Sequence, residues 1–157
     1  MDFSFSEEQT LLRNTIQSFI QDNYDFDKRQ AIVKSEEGMK QENWKQFAEL
    51  GLLGLPFSEE DGGLNFGSVE TMIVAEEFGK GLVVEPYIQP VVTCGGFLRR
   101  ASASIKEKYI PGIISGEDIW AFAYAEPQGR YNLNDLTTTA TLAVSYTHLT
   151  LPTNREV

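Results

Sequence analysis

The feature that most constrains this chain is a change of hydrophobic period at Gly116. Upstream, apolar residues recur at the three- and four-residue spacing that gathers them on one side of a helix. Downstream, Ile119, Trp120, Ala121, Phe122, Ala123 and Tyr124 form a run of aromatic and small residues, and Thr137, Thr138, Thr139 and Thr141 are β-branched. Both stretches suit strands better than helices. With 157 residues the chain is long enough for one ordinary domain and part of another. The expectation is a mainly α protein, with a helical bundle over residues 1–116 followed by the first strands of a β domain over residues 117–143. Two strands alone are marginal in water, so this β domain reads as truncated.

The helices announce themselves locally. Ser6 and Gln9 have the spacing of a capping box, and Glu7 and Glu8 favour the positive end of a helix dipole. The first helix is predicted to run to about Asn23, with Leu12, Ile16, Phe19 and Ile20 on one face and Leu11 and Thr15 beside them. A second, over about Asp27–Glu36, carries Ile32 and Val33. A third, over about Gln41–Leu50, turns Trp44, Phe47, Ala48 and Leu50 inward and stops at Gly51. Leu50–Gly63 combines four glycines and a proline with five large apolar residues. That mixture excludes a long regular element and also a solvated linker, so an irregular segment pressed onto the helices is expected. Ser68 is expected to cap a fourth helix, with Val69, Met72, Ile73 and Phe78 on one face and Gly79 at its end. A fifth spans Pro86 to about Arg100, with Val91, Val92, Cys94 and Phe97 apolar, and a sixth spans about Ser104–Ile114.

Charge narrows the function. Acidic residues outnumber basic ones 23 to 13, for a net charge of −10. That balance argues against a nucleic-acid partner and against an anionic membrane surface. No apolar run has the length of a membrane span, and the opening MDFSFSEEQ lacks the basic and apolar regions of a secretory signal. Cys94 is the only cysteine and His148 the only histidine, which excludes an internal disulfide and a clustered Cys/His metal site. A cytoplasmic setting is expected. The acid pairs Glu7/Glu8, Glu36/Glu37 and Glu76/Glu77 read as solvated helix faces, Cys94 as a small buried hydrophobe, and Asp61-Gly62-Gly63 as a turn.

One loop is over-equipped. Ala123–Leu133, AYAEPQGRYNL, holds an acid, a proline, a glycine, an arginine and two tyrosines, where an ordinary hairpin needs two or three turn formers. Its Ala123-Tyr-Ala-Glu-Pro127 is similar to the flavin-loop motif of the acyl-CoA dehydrogenases. Two earlier segments match that family in order: Phe3–Gln9 leading into an amphipathic helix, and Leu50–Leu55 followed by Glu60–Leu64. Residues 1 to about 143 thus resemble the N-terminal part of a flavin-dependent acyl-CoA dehydrogenase. Glu126–Leu133 followed by Asp135–Thr138 is further similar to the small-subunit type of pimeloyl-CoA dehydrogenase.

The resemblance implies an FAD cofactor, contacted by Phe122, Tyr124 and Ala125. It also implies an acyl-CoA substrate, for which Tyr87, Val91, Arg130 and Tyr131 are the candidate contacts, with core packing an equal alternative for Tyr87 and Val91. In the family a proton leaves the carbon next to the thioester and a hydride leaves the next carbon for the flavin, so the protein positions and polarises. The base is usually a glutamate of the C-terminal helical domain, and no acid of residues 1–143 matches it. Glu126 lies in the cofactor loop instead. The family further implies an electron-transfer flavoprotein or similar acceptor and a homo- or hetero-oligomer at full length. Two departures stand out: Ala125 replaces a threonine whose hydroxyl can bond the flavin, and Arg130 and Tyr131 stand near the family's glycine and serine. Arg130 suits a substrate phosphate or carboxylate. Two alternatives stay open, a flavin oxidase or monooxygenase of the same fold and a non-catalytic helical partner subunit. Residues 144–157, which include His148, resemble a translated sequencing adapter and are set aside as non-native; the 157-residue chain itself is expected to be inactive.

Overall fold

The computed structural model describes residues 4–141 in full and the backbone of 142 and 147–150. The chain divides into two compact units, one ending at Phe122 and the other beginning at Ala123.

The first unit is helical. Helix α1 (Glu7–Asn23) begins at the expected capping box. The Gln9 amide donates to Ser6 Oγ at 3.1 Å and the Ser6 amide donates to Gln9 Oε1 at 3.0 Å. Helix α2 (Phe26–Lys34) is capped by Asp25, whose Oδ1 accepts from the Lys28 amide at 2.8 Å. Helix α3 (Gln41–Glu49) buries Trp44 and Phe47 completely. Phe47 is the centre of an aromatic cluster, with ring centroids of Phe78 at 4.7 Å, Phe19 at 5.1 Å and Trp44 at 6.0 Å. Trp44 Nε1 donates to the Gly116 carbonyl at 3.1 Å, which satisfies the one polar atom of a buried indole. Leu50, expected inward, is 40% exposed. It follows the last turn of α3, where the chain reverses at Gly51 with φ of +75°.

Residues 50–66 are irregular and pressed onto the core, as composition foretold. Single 3-10 turns occupy Leu52–Gly54 and Glu59–Asp61, and Leu52, Leu53, Leu55 and Phe57 are sealed from solvent. The segment doubles back and bonds to itself, Leu64 to Gly54, Asn65 to Phe57 and Phe66 to Leu55, at 2.7–3.0 Å. Gly63 makes this possible, because a Cβ there would lie 2.3 Å from the Phe57 carbonyl oxygen.

Helix α4 (Ser68–Gly81) packs along α1. Its cap is Gly67 rather than Ser68. Glu70 Oε2 accepts from the Gly67 amide at 2.8 Å while its Oε1 accepts from Gln9 Nε2 at 2.7 Å, so one carboxylate closes the helix start and ties it to α1. The helix also outruns Gly79 and ends at Gly81, capped by Leu82 at a left-handed φ of +52°. Its buried stripe is Ile73, Val74, Glu77 and Phe78, while Val69 and Met72 are about half exposed. The next helical stretch begins two residues later than expected, with π-helical turns over Ile88–Cys94 running into a short α5 (Gly95–Leu98). Pro90, Val91, Cys94 and Leu98 face inward; Phe97 faces out. Helix α6 (Ala103–Ser115) closes the bundle with Ile110 and Ile113 buried.

The strand expected over residues 119–124 does not form among the described residues. Trp120 instead stacks edge-on against Tyr109, centroids 5.1 Å apart, and Phe122 lies 4.7 Å from Phe97. Extended aromatics here complete the helical unit, and their side-chain packing takes precedence over β propensity. In the second unit, β1 (Thr139–Leu142) pairs antiparallel with β2 (Thr147–Thr150). The remaining residues of 144–157, expected to be non-native, lie outside the described ones.

Candidate functional site

The over-equipped loop is built around its acid. Glu126 Oε2 accepts from the Thr137 amide at 2.6 Å, from Thr137 Oγ1 at 2.7 Å and from Gln128 Nε2 at 2.5 Å. Its Oε1 accepts from the Thr138 amide at 3.0 Å. The Thr138 side chain first, then the Thr137 amide and the Gln128 side chain, hold the carboxyl well below the usual carboxylate range. Gln128 Nε2 also reaches the Asp135 carbonyl at 3.2 Å and Thr137 Oγ1 at 3.1 Å. Inside the loop, Gly129 N–H donates to the Glu126 carbonyl and Asn132 N–H to the Gly129 carbonyl, at 3.1 and 2.7 Å. A Cβ on Gly129 would meet the Asp135 and Asn132 carbonyl oxygens at about 3 Å, and the next residue, Arg130, is left-handed with φ of +46°.

The residues singled out for the cofactor and substrate are distributed as follows. In the loop, Tyr124 is 52% exposed and Ala125 is exposed. Arg130 is exposed and Tyr131 extends fully into solvent. In the helical unit, Phe122 is 38% exposed beside Phe97. Tyr87 and Val91 are core residues. Tyr87 is 2% exposed, donates its hydroxyl to the Leu52 carbonyl at 3.2 Å and packs edge-on against Phe78, and Val91 has no exposed surface. One edge of Tyr87 lines a cavity of about 410 Å3 at the end of α4, with Phe78, Leu82, Val83, Ile88 and Arg29.

Two buried acids were not foreseen as such. Glu77, expected on a solvated face, is 2% exposed. Burial pushes its carboxyl up, but Lys80 at 2.8 Å, Gln17 at 3.0 Å and Arg13 at 3.2 Å outweigh that and hold it down. Its signal lay in the pattern, since position 77 follows Ile73 by one helical repeat. Glu85 is 4% exposed beside the same cavity. Its Oε1 accepts from the Lys40 amide and from Asn43 Nδ2, both at 3.2 Å, so it caps α3 from a distance. Its Oε2 and Asn43 Oδ1 have no hydrogen-bond partner, and burial raises its carboxyl. No sequence rule marks an acid that caps a helix 45 residues upstream.

An isoalloxazine edge alternates hydrogen-bond donors and acceptors beside apolar ring faces. Ala125 is an exposed residue with a main-chain donor and acceptor, and Tyr124 beside it brings an exposed ring, so the residues present fit such a group chemically. Among the described residues no group of acidic, histidine or cysteine side chains has a metal-holding arrangement, and no helix is long and apolar enough to cross a membrane.

Known proteins bear on the same residues. The model of the acyl-CoA dehydrogenase N-terminal domain matches residues 6–117. The mitochondrial isovaleryl-CoA dehydrogenase of Pongo abelii is 38% identical over 126 residues, covering 78% of this chain and 30% of that protein. Among solved structures, the FAD complex of PigA superposes with a TM-score of 0.76 at 27% identity, covering 89% of this chain and 37% of that one. The ChsE4-ChsE5 complex from Mycobacterium tuberculosis shares the fold, with a TM-score of 0.81 at 24% identity over 96% of this chain and 40% of that one. The chain spans about a third of the length of the curated relatives it matches.

Proposed function

The chain belongs to the acyl-CoA dehydrogenase family through its N-terminal domain, and we propose that it is the N-terminal part of a flavin-dependent enzyme that introduces an α,β double bond into an acyl-CoA thioester. The observation that carries this reading is the match over residues 6–117, followed by a loop in which Tyr124 and Ala125 are exposed residues. When bound, FAD supplies the hydride acceptor. This chain's share is to hold and orient: Phe122, Tyr124 and Ala125 toward the ring system, the cavity edge of Tyr87 toward the acyl chain with Val91 packed in the core behind it, and Arg130 and Tyr131 toward the thioester's CoA or an ω-carboxylate. Glu126 is not the base. A base needs a free lone pair near its operating pH, and this carboxylate is engaged by four donor atoms and depressed in pKa.

The finer reading is a relative of the pimeloyl-CoA dehydrogenase small subunit, working with an electron-transfer flavoprotein or similar acceptor in a homo- or hetero-oligomer. The 157-residue chain is expected to be inactive alone, and residues 144–157 to be replaced by native sequence in an independent clone read past codon 143. The test is anaerobic mixing of the full-length protein with FAD and acyl-CoA thioesters of graded length. Bleaching of the flavin band by a thioester supports the dehydrogenase. Turnover that requires oxygen supports the same-fold oxidase or monooxygenase instead, and a full-length protein that cannot be loaded with FAD supports a non-catalytic partner subunit.

A further inference from the structure

We propose that Glu126 is the positioning residue of the cofactor loop: its carboxylate, by gripping Thr137 and Thr138 across the loop, fixes the main chain at Tyr124 and Ala125 for the flavin. The inference rests on the flavoprotein reading above. Its geometric basis is a closed excursion of the chain. The two successive amides of Thr137 and Thr138 both donate to one carboxylate 11 and 12 residues upstream. A side chain thus closes the loop.

The clamp binds at the residue next to Ala125. Pro127 follows Glu126, fixes its own φ and restricts the backbone of the residue before it, so the chain is stiff where the clamp is anchored. The enclosed turn is folded tightly on itself, with Gly129 at a position where a Cβ would crowd two carbonyl oxygens and Arg130 held left-handed. A non-glycine residue is kept in that conformation only where surrounding bonds over-determine it. The depressed carboxyl keeps the clamp closed at neutral pH and opens it only as pH falls through that lowered value. A preorganised main chain spares the cofactor the cost of ordering it, and that gain appears as affinity.

The experiment compares the intact flavoprotein with its Glu126→Gln, Glu126→Asp and Thr137→Val variants. The readouts are FAD affinity by fluorescence titration of the apoprotein, the bound flavin's absorption envelope, and hydrogen exchange at the Thr137 and Thr138 amides. Glu126→Gln turns one acceptor oxygen into a donor facing donors. It is expected to speed exchange at both amides, alter the flavin envelope and weaken FAD binding roughly tenfold or more, with the thermal unfolding of the helical unit unchanged. Glu126→Asp, which keeps the charge on a shorter arm, should fall between. Thr137→Val, which removes only Oγ1, should have the smallest effect in the same direction and remains informative if Glu126→Gln does not fold. Wild-type affinity and spectrum in Glu126→Gln would overturn the inference and leave the flavoprotein reading intact. So would equally fast exchange of the two amides in wild type and variant. A wild-type protein that takes up no FAD overturns both.

Discussion

At the residue scale, acids decide more here than their surface-like spacing implies. Glu7 and Glu8 sit where a helix start wants them, and that much was legible from Ser6 and Gln9. Glu70, Glu77, Glu85 and Glu126 each bind groups far away in sequence, which local patterning cannot show. Glu85 is the costliest of them. It is 4% exposed, its Oε2 is unpartnered, and the Asn43 amide to which it is joined has its own Oδ1 unpartnered. Arg29 lines the same cavity, but its Nε is committed to the Leu82 carbonyl at 2.9 Å. An amide and a carboxyl joined by one bond can form a second once the remaining oxygen carries hydrogen. The folded-state pKa is raised, so the stability that goes with a protonated Glu85 is fully present below the unfolded value near 4.5 and is lost as pH rises through the folded one. Glu85→Gln supplies that hydrogen permanently. The variant is expected to be more stable than wild type by about 1 kcal/mol at neutral pH, with the difference vanishing in mild acid. Guanidinium midpoints from pH 4.5 to 8 measure it, and a variant less stable at every pH would show that the charged form is the one the fold uses.

At the element scale, the helices were legible wherever a cap and an apolar stripe coincided. Helix α1 was read to its last residue for that reason, and α3 to within one. Helix α4 was misread at both ends by the same rules. Ser68 is a good cap type, yet the side chain that closes the helix belongs to Glu70, and Gly79 is passed over because the left-handed exit falls on Leu82. The expected strand over 119–124 failed because its aromatics had helical partners, Tyr109 and Phe97, that no period in the sequence reveals. The irregular segment was the firmest reading, and its stability is concentrated in one close approach. At Gly63 a Cβ would meet Phe57 backbone and side-chain carbon at 2.3–2.6 Å, and Phe57 is itself fully buried with its ring beside Gly95. Neither side can yield, so Gly63→Ala is expected to cost about 3 kcal/mol or more. Gly79→Ala, with nothing within 4 Å of the added Cβ, is the control and should be neutral or slightly stabilising. Urea unfolding of both variants distinguishes steric exclusion at Gly63 from a general intolerance of glycine replacement; equal stabilities would mean the segment is looser than its hydrogen bonds imply.

At the scale of the whole molecule, the two units rest on different physics. The helical unit owns the core: Ile16, Trp44, Phe47, Leu52, Phe57, Ile73, Val91 and Ile110 are all essentially without solvent contact. That core was legible as a set of apolar faces because helical period and burial report the same thing. In the second unit, the described residues bury no large apolar side chain, and Gly129 is the one buried residue. Hydrogen bonds to Glu126 and one two-stranded ladder hold it, and neither burial nor period could have announced that arrangement. The over-equipped loop was therefore found by excess of unusual residues, and the bonds to Glu126 only by geometry. A two-stranded ladder is marginal in water, whereas a buried helical core opens only by global or near-global unfolding. Native-state hydrogen exchange of the 157-residue chain should then divide at Phe122/Ala123. Amides of Ile73, Val74 and Ile110 are expected to be protected ~10^3-fold or more over those of Ala140 and Thr141. In the intact flavoprotein with FAD bound, the second group should rise toward the first, since a ligand that binds only the ordered loop stabilises it by mass action. Equal protection of both groups in the 157-residue chain would mean that the second unit draws stability from something other than its own bonds, and the division at Phe122 would lose its physical meaning.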